Sequence, residues 1–387
     1  MSASITCPPI RIRGRFLWRG DDRTKFFIRG VAYQVDSARD PISDDRLAEL
    51  KHDILLFKEL GLNTLFVYGI DSTKHHTEAM KLLEEAGIYV FTAVSTPWNA
   101  ISRLAPTESY NPDTMASFFK TVDIMAGFPN TLGLLAGNTV INNDSTMPAA
   151  GVLKTAVRDL KKYMKLRNEA NGQRVIPIGY SAATSSARDQ EILEYLTAGD
   201  NDMSIDFWTC SNFEWKKKSD TTGSGYDDLL HRFSNTTIPI FFSEYGNPSR
   251  QPRLFQETTA LYSPAMSRIF SGGCAYEFWE SANGYGLLEL LKHGSDKRIS
   301  AYRQKPDDEN KIFERRETDR GILLVFNDFV NYKSKLAEVG DIAVEDVSEA
   351  TEREGEQGET GKKASGPWQD KFRMLESCVD WHEVEAS

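Results

Sequence analysis

At 387 residues with 40% hydrophobic content, the chain has enough material for one large barrel-type domain or two ordinary ones. Its formal charge of −10 is concentrated at one end, because residues 341–387 hold 13 acidic residues against 5 lysines and arginines. The remaining body is nearly neutral and has no basic patch, which argues against a nucleic-acid partner, and no run of about 18 apolar residues predicts a membrane-spanning segment.

The opening "MSASITCPPIRIRGRFLWRG" has no apolar core ahead of its first arginines, so no signal peptide is expected. Residues 1–25 read as an N-terminal extension with a first hairpin. Short β-rich runs then alternate with segments of helical period. The predicted strands are Phe27–Gln34, Asn63–Ile70, Ile88–Ser95, Leu132–Asn138, Val175–Ser181, Ile205–Phe213, Ile238–Glu244 and Cys274–Trp279. Between them lie "DDRLAELKHDILLFKEL", "STKHHTEAMKLLEEAG", "NPDTMASFFKTVDIMAG" and "AGVLKTAVRDLKKYMKLRNEAN", with apolar residues three and four apart. Eight such units predict an α/β fold, a (β/α)8 TIM barrel over residues 26–340, with its site where the strands end. A doubly wound open sheet is the alternative, but no G-x-G-x-x-G follows the first strand. The segment at about 290–320 is charged and predicts an exposed insertion. "GILLVFNDFVNYKSKLAEV" restores a strand and a helix. Residues 341–387 predict an acidic, largely disordered tail whose last part, "PWQDKFRMLESCVDWHEV", suits a helix.

In a barrel, polar residues at strand ends share one cleft, which selects Gln34, Asp36, Tyr68, Asp71, Asn138, Thr139, Ser181, Glu214, Glu244, Tyr276 and Glu277. Tyrosines, phenylalanines and tryptophans crowd the same ends. Aromatic faces beside carboxylates suit sugars, and retaining glycosidases need two carboxyl groups about 5–5.5 Å apart. The rival for each aromatic is simple filling of the barrel mouth, and the rival for Glu244 is a buried structural ion pair. Other chemistries have less support. His75 and His76 are adjacent instead of four apart, which predicts a solvated helix face instead of a zinc pair, and no G-x-S-x-G or Walker loop is present. Cys7, Cys210, Cys274 and Cys378 are widely spaced and predict free thiols.

Taken together in chain order, "FFIRGVAYQ" (26–34), "GLNTLFVYGID" (61–71), "AGNTVIN" (136–142), "VIPIGYSAA" (175–183), "PIFFSEYG" (239–246), "QPRLF" (251–255), "SGGCAYEFWESANGYGL" (271–287) and "DFVNYKSKLAEV" (328–339) resemble the catalytic domain of fungal β-1,3-glucanosyltransferases, glycoside hydrolase family 72. The resemblance implies a retaining 1,3-beta-glucanosyltransferase that cleaves and religates β-1,3-glucan in fungal cell-wall assembly, without cofactor or metal. It places Glu244 at the nucleophile position and Gln34, Tyr68, Asn138, Tyr276 and Tyr285 at sugar-contacting positions. The acid/base glutamate is replaced by Thr139. Phe213 stands for a tyrosine that orients the nucleophile, Phe66 for an arginine, and Ala93 and Trp98 for two aspartates. Ala79, Lys216 and Asn247 stand where disulfide cysteines are expected. Glu214 and Glu277 have counterparts in ordinary family members and are poor substitute proton donors, and Asp144, five residues beyond Thr139, could reach back only if its loop folds over the cleft.

Two expectations therefore stand side by side. One is a β-1,3-glucan transglycosylase with residual or altered activity; the other is a non-catalytic glucan-binding or interaction protein, a pseudoenzyme. Either way the implied partner is β-1,3-glucan or laminari-oligosaccharides. Family members are held at the cell surface by GPI anchors, whereas this sequence shows neither signal, predicting an intracellular chain or an incomplete gene model.

Overall fold

The computed structural model describes residues 7–20, 24–35, 40–96, 98–183, 187–213, 226–247, 251–292, 311–340 and 372–386. Eight parallel strands close into a barrel: β3 (Ile28–Ala32), β4 (Thr64–Val67), β5 (Tyr89–Ala93), β6 (Thr131–Asn138), β7 (Ile178–Ala182), β8 (Phe207–Asn212), β9 (Ile240–Tyr245) and β10 (Phe270–Ala275), with β10 pairing back to β3. Each predicted strand has its counterpart, the last beginning four residues earlier than the reading placed it. The strands are buried on both faces, which is why they read as nearly unbroken apolar runs without alternation.

The two faces feed two cores. Outward residues such as Val31, Leu65, Val90, Leu134, Ile178 and Trp208 pack under the helices. Inward residues Phe66, Phe91, Phe207 and Phe241 fill the barrel itself, Phe66 stacking on Phe91 at 4.6 Å and Phe207 on Phe241 at 5.5 Å. A barrel interior holding this many rings needs compensating small residues. Gly179 provides one such gap: a Cβ there would lie 2.3 Å from the Phe207 ring. Gly179→Ala is therefore expected to destabilise the fold by about 1–3 kcal/mol through overpacking, read as a lower urea midpoint at unchanged slope.

The N-terminal hairpin, β1 (Ile10–Arg13) with β2 (Phe16–Arg19), sends Ile10 and Leu17 into the inner core, and Tyr89 donates to the Pro8 carbonyl at 2.7 Å. It closes the end of the barrel opposite the strand C-termini. After β10 the chain builds a three-stranded antiparallel sheet, β11 (Leu288–Lys292), β13 (Gly321–Phe326) and β12 (Ile312–Thr318), in that order, and then the closing helix Asn327–Val339. The charged insertion expected at about 290–320 thus ends in an ordered edge strand. Its charges, Glu314 to Glu317, belong to an exposed sheet edge, where charge blocks further pairing.

The acidic tail also has an ordered end. Phe372 is buried against Tyr195, Leu375 donates to Thr155 at 2.9 Å, and Trp381 opens a short helix, Trp381–Ala386, beside Phe119. The segment crosses helix Ala149–Asn171 at Gly151, where a Cβ would lie 2.2 Å from the Arg373 carbonyl. Within the segment expected to be helical, residues 372–380 are not, Phe372 and Leu375 bonding through their backbone to Tyr195, Thr155 and Arg158, and the helix forms only at Trp381–Ala386. His76 is also not on a solvated face: it is 2% exposed and shares 2.7 Å contact with Asp40 just before helix Thr77–Glu85. All four cysteines are free. Among the described residues, no helix is long and apolar enough to cross a membrane.

Candidate active site

Glu244 lies in the last turn of β9, at the C-terminal mouth of the barrel. Its neighbour across the β8–β9 ladder is Ser211, whose hydroxyl donates to Oε2 at 3.0 Å. Tyr68, just beyond β4, donates its hydroxyl to Oε1. Both carboxylate oxygens are therefore held, with no cation in contact among the described residues. Burial pushes the Glu244 carboxyl above the usual carboxylate range, while the Tyr68 and Ser211 hydroxyls pull it back down. The rival reading of Glu244 as half of a buried ion pair has no contact to support it among the described residues.

This balance has a measurable consequence. A nucleophile must be ionised, so a nucleophilic role for Glu244 predicts that reactivity is lost as pH falls through its raised pKa, at higher pH than for an ordinary glutamate. Tyr68→Phe removes one of the two groups that favour the charged form, so the acid limb should move further upward. The pH profile of Glu244 labelling by a mechanism-based glycoside checks this, and an unmoved limb would count against the hydrogen bond as the cause.

Around Glu244 stands a wall of rings. Phe66 lies 4.5 Å from Tyr68 and forms the floor. Phe213 meets Tyr276 at 5.8 Å and Tyr285 at 5.7 Å, and those two tyrosines meet at 5.2 Å, all edge-on. Asn283 donates to the Tyr276 hydroxyl at 2.8 Å. Phe66 is fully buried, whereas Tyr68, Phe213, Tyr276 and Tyr285 are part-exposed and can meet a ligand. Phe213 has no hydroxyl to offer Glu244, and Ser211 and Tyr68 fill that role instead.

Thr139 follows β6 and takes φ 51°, the left-handed region that is unfavourable for a β-branched residue. Its amide donates to the Ser181 carbonyl at 2.7 Å, and its own carbonyl accepts from Arg103 at 2.7 Å. Such strain persists only where the surroundings hold it, and it gathers at functional sites. Asn138 is part-buried and faces a cavity of about 700 Å³ that is also lined by Ser95, Trp98, Arg103, Asn111 and Val140.

The other candidates make other contacts, and Glu277 stays within electrostatic reach of Glu244. Gln34 is exposed at the end of β3. Asp36, Glu214 and Lys216 lie outside the described residues. Asp71 is spent on a turn, accepting from the amide and hydroxyl of Thr73. Ser181 is buried and shares 3.1 Å contact with Ser243. Glu277 is 4% exposed and accepts from Ser281 at 2.5 Å. Asp144 is turned to Arg188, 2.7 Å away, and is not a hidden proton donor for the cleft. Ala79 is a core residue, and the Asn247 amide is tied to Glu257 at 3.1 Å.

Two supports escaped the sequence reading. Ser211 was legible only through strand register. Arg253, 2% exposed, pairs with Asp328 at 2.5 Å and donates to the carbonyls of Tyr276 and Tyr285. An arginine inside "QPRLF" was the only signal of it.

Comparison with known proteins agrees with this fold. The family model described as glucanosyltransferase, glycoside hydrolase family 72, matches residues 1–312. The 1,3-beta-glucanosyltransferase PGA4 of Candida albicans is 41% identical over 294 residues, 75% of this chain and 64% of that protein. Saccharomyces cerevisiae GAS5, also a 1,3-beta-glucanosyltransferase, is 39% identical over 75% of this chain and 60% of its own length. The chain thus spans less than two thirds of these relatives. Among solved structures, Saccharomyces cerevisiae Gas2p in complex with laminaritriose and laminaritetraose superposes with a TM-score of 0.73 at 32% identity, covering 86% of this chain and 69% of that one.

Proposed function

Because the chain belongs to the glucanosyltransferases of glycoside hydrolase family 72, we propose that its cleft binds β-1,3-glucan and that Glu244 is the nucleophile of a retaining transfer on it. The observation that carries this reading is the carboxylate of Glu244 at the barrel mouth, oriented by Tyr68 and Ser211 and free of any ion pair among the described residues. Tyr276 and Tyr285 offer ring faces to the sugar, and Gln34 and Asn138 offer amides. The laminari-oligosaccharides bound by the Gas2p neighbour are the ligand class this groove would take.

In the transfer, a Glu244 oxygen attacks the anomeric carbon, an acid protonates the departing sugar oxygen, and a second glucan hydroxyl then displaces the ester with help from the same group as base. Thr139 occupies the position of that acid/base. A threonine hydroxyl neither donates nor accepts a proton usefully near neutral pH, which removes about 10²–10⁴ of rate. Ester formation from a donor with a good leaving group is the part that Glu244 carries alone.

The second reading, a glucan-binding protein without turnover, is favoured by Thr139 together with Phe213. Incubation with laminari-oligosaccharides separates the two. Products both longer and shorter than the substrate are expected of the transferase, while calorimetric binding with an unchanged oligosaccharide profile supports the binding protein. No heat at millimolar sugar would remove both.

A further inference from the structure

The corner at Thr139 carries a charge pattern that a hydroxyl acceptor does not need. Arg103 is exposed, its Nη2 donates to the Thr139 carbonyl at 2.7 Å and stands 3.5 Å from Oγ1, and among the described residues no carboxylate pairs with it. The adjoining cavity of about 700 Å³ has Arg103 in its lining and, among the described residues, no aspartate or glutamate. An acid/base glutamate there would neutralise the guanidinium and repel anions. Thr139 does neither.

We propose that this corner receives an oxyanion, a phosphate or a carboxylate, as the acceptor of the glycosyl group. The proposal rests on Glu244 being the nucleophile. A hydroxyl acceptor must be deprotonated as it attacks, and Thr139 cannot do so. An oxyanion arrives already ionised, so it needs a cation to dock on and no base. With a glycosyl fluoride as donor the steps balance without any proton. The Glu244 oxygen bonds to the anomeric carbon as the carbon–fluorine bond breaks and fluoride leaves with the electron pair. A phosphate oxygen then bonds to the same carbon as the ester bond breaks and its electron pair returns to the Glu244 carboxylate. The product is a glycosyl phosphate of retained β configuration. The loss of the acid/base and the arginine beside it, which meets no carboxylate among the described residues, are then two parts of one change in acceptor.

The test uses the full chain with β-laminaribiosyl fluoride and follows the Glu244 ester by intact mass. Its decay is compared in inorganic phosphate, in formate, and in laminaribiose at matched ionic strength. Phosphate or formate is expected to discharge the ester at least about tenfold faster than laminaribiose, the two arms telling which oxyanion the corner prefers, with β-laminaribiosyl phosphate visible by ³¹P NMR in the first. Arg103→Ala should collapse the oxyanion-to-laminaribiose ratio, and Arg103→Lys should restore part of it. Because the ratio is taken within each variant on ester already formed, a poorly folded fraction does not affect it. An ester discharged equally by laminaribiose, or a ratio unchanged in Arg103→Ala, overturns the proposal while leaving Glu244 as nucleophile. Failure to form any ester overturns the nucleophile reading and this proposal with it.

Discussion

Thr139→Glu is expected to raise transfer between laminari-oligosaccharides by about 10²–10⁴, the range that a positioned general acid/base contributes. The backbone favours the change. Thr139 holds φ 51°, where branching at Cβ is costly, and glutamate is unbranched there. The two contacts that fix the position, from its amide to Ser181 and from Arg103 to its carbonyl, are made by the backbone and survive substitution. Arg103 works against full recovery, because a cation beside the new carboxylate would favour its ionised form and weaken it as an acid. The double variant Thr139→Glu, Arg103→Ala should therefore outperform the single one near neutral pH. Time courses of product length for the wild type and both variants measure this. Unchanged turnover, with the Glu244 ester still forming, would mean that Phe213 and Ala93 have removed more of the machinery than one acid.

Asp328→Ala carries the largest expected cost in stability, about 3–5 kcal/mol, because it leaves the Arg253 guanidinium buried without its partner. The pair is 1% and 0% exposed, Arg253 also receives support through its amide to Asp328 at 2.8 Å, and its remaining donors hold the Tyr276 and Tyr285 carbonyls. Helix Asn327–Val339 and the tyrosine loop are thereby joined through one side chain. Replacing both partners, Arg253→Met with Asp328→Leu, removes the stranded charge and should recover much of the stability, though two buried carbonyls then lack donors at about 1–3 kcal/mol each. Glucan affinity separates the two effects. The double variant should fold yet bind laminari-oligosaccharides more weakly, since the rings are no longer held. Equal affinity in a folded double variant would limit Arg253 to a structural role.

The barrel was legible because its signal is local and repeated. Each strand is a short apolar run ended by a polar residue, each helix shows its period, and eight repetitions leave few topologies open. Glu244 was legible for the same reason, as the single acid closing "PIFFSEY". What holds Glu244 was not. Ser211 and Tyr68 come from β8 and from the end of β4, and only closure of the sheet brings them to the same carboxylate. Arg103 and Thr139 are 36 positions apart and meet only at the barrel mouth. His76, which its spacing places on a solvated helix face, forms a buried pair with Asp40, also 36 positions away. The ordered edge strand β12 and the seated end at Phe372 were likewise hidden, because charge near a segment says nothing about which backbone groups find partners.

By itself the sequence determined the strand and helix order, the position of Glu244 at a strand end, and the absence of an acid at residue 139. These follow from covalent order, from short apolar runs and from the 3.6-residue helical period, which are properties of neighbouring side chains. Only the tertiary structure decided that Glu244 is held by two hydroxyls and, among the described residues, no cation, that Asp144 is turned to Arg188, and that Arg103 stands beside Thr139. Those relations are set by barrel closure, which brings together residues far apart in the chain at hydrogen-bonding distance, and no local pattern encodes a distance across the barrel mouth.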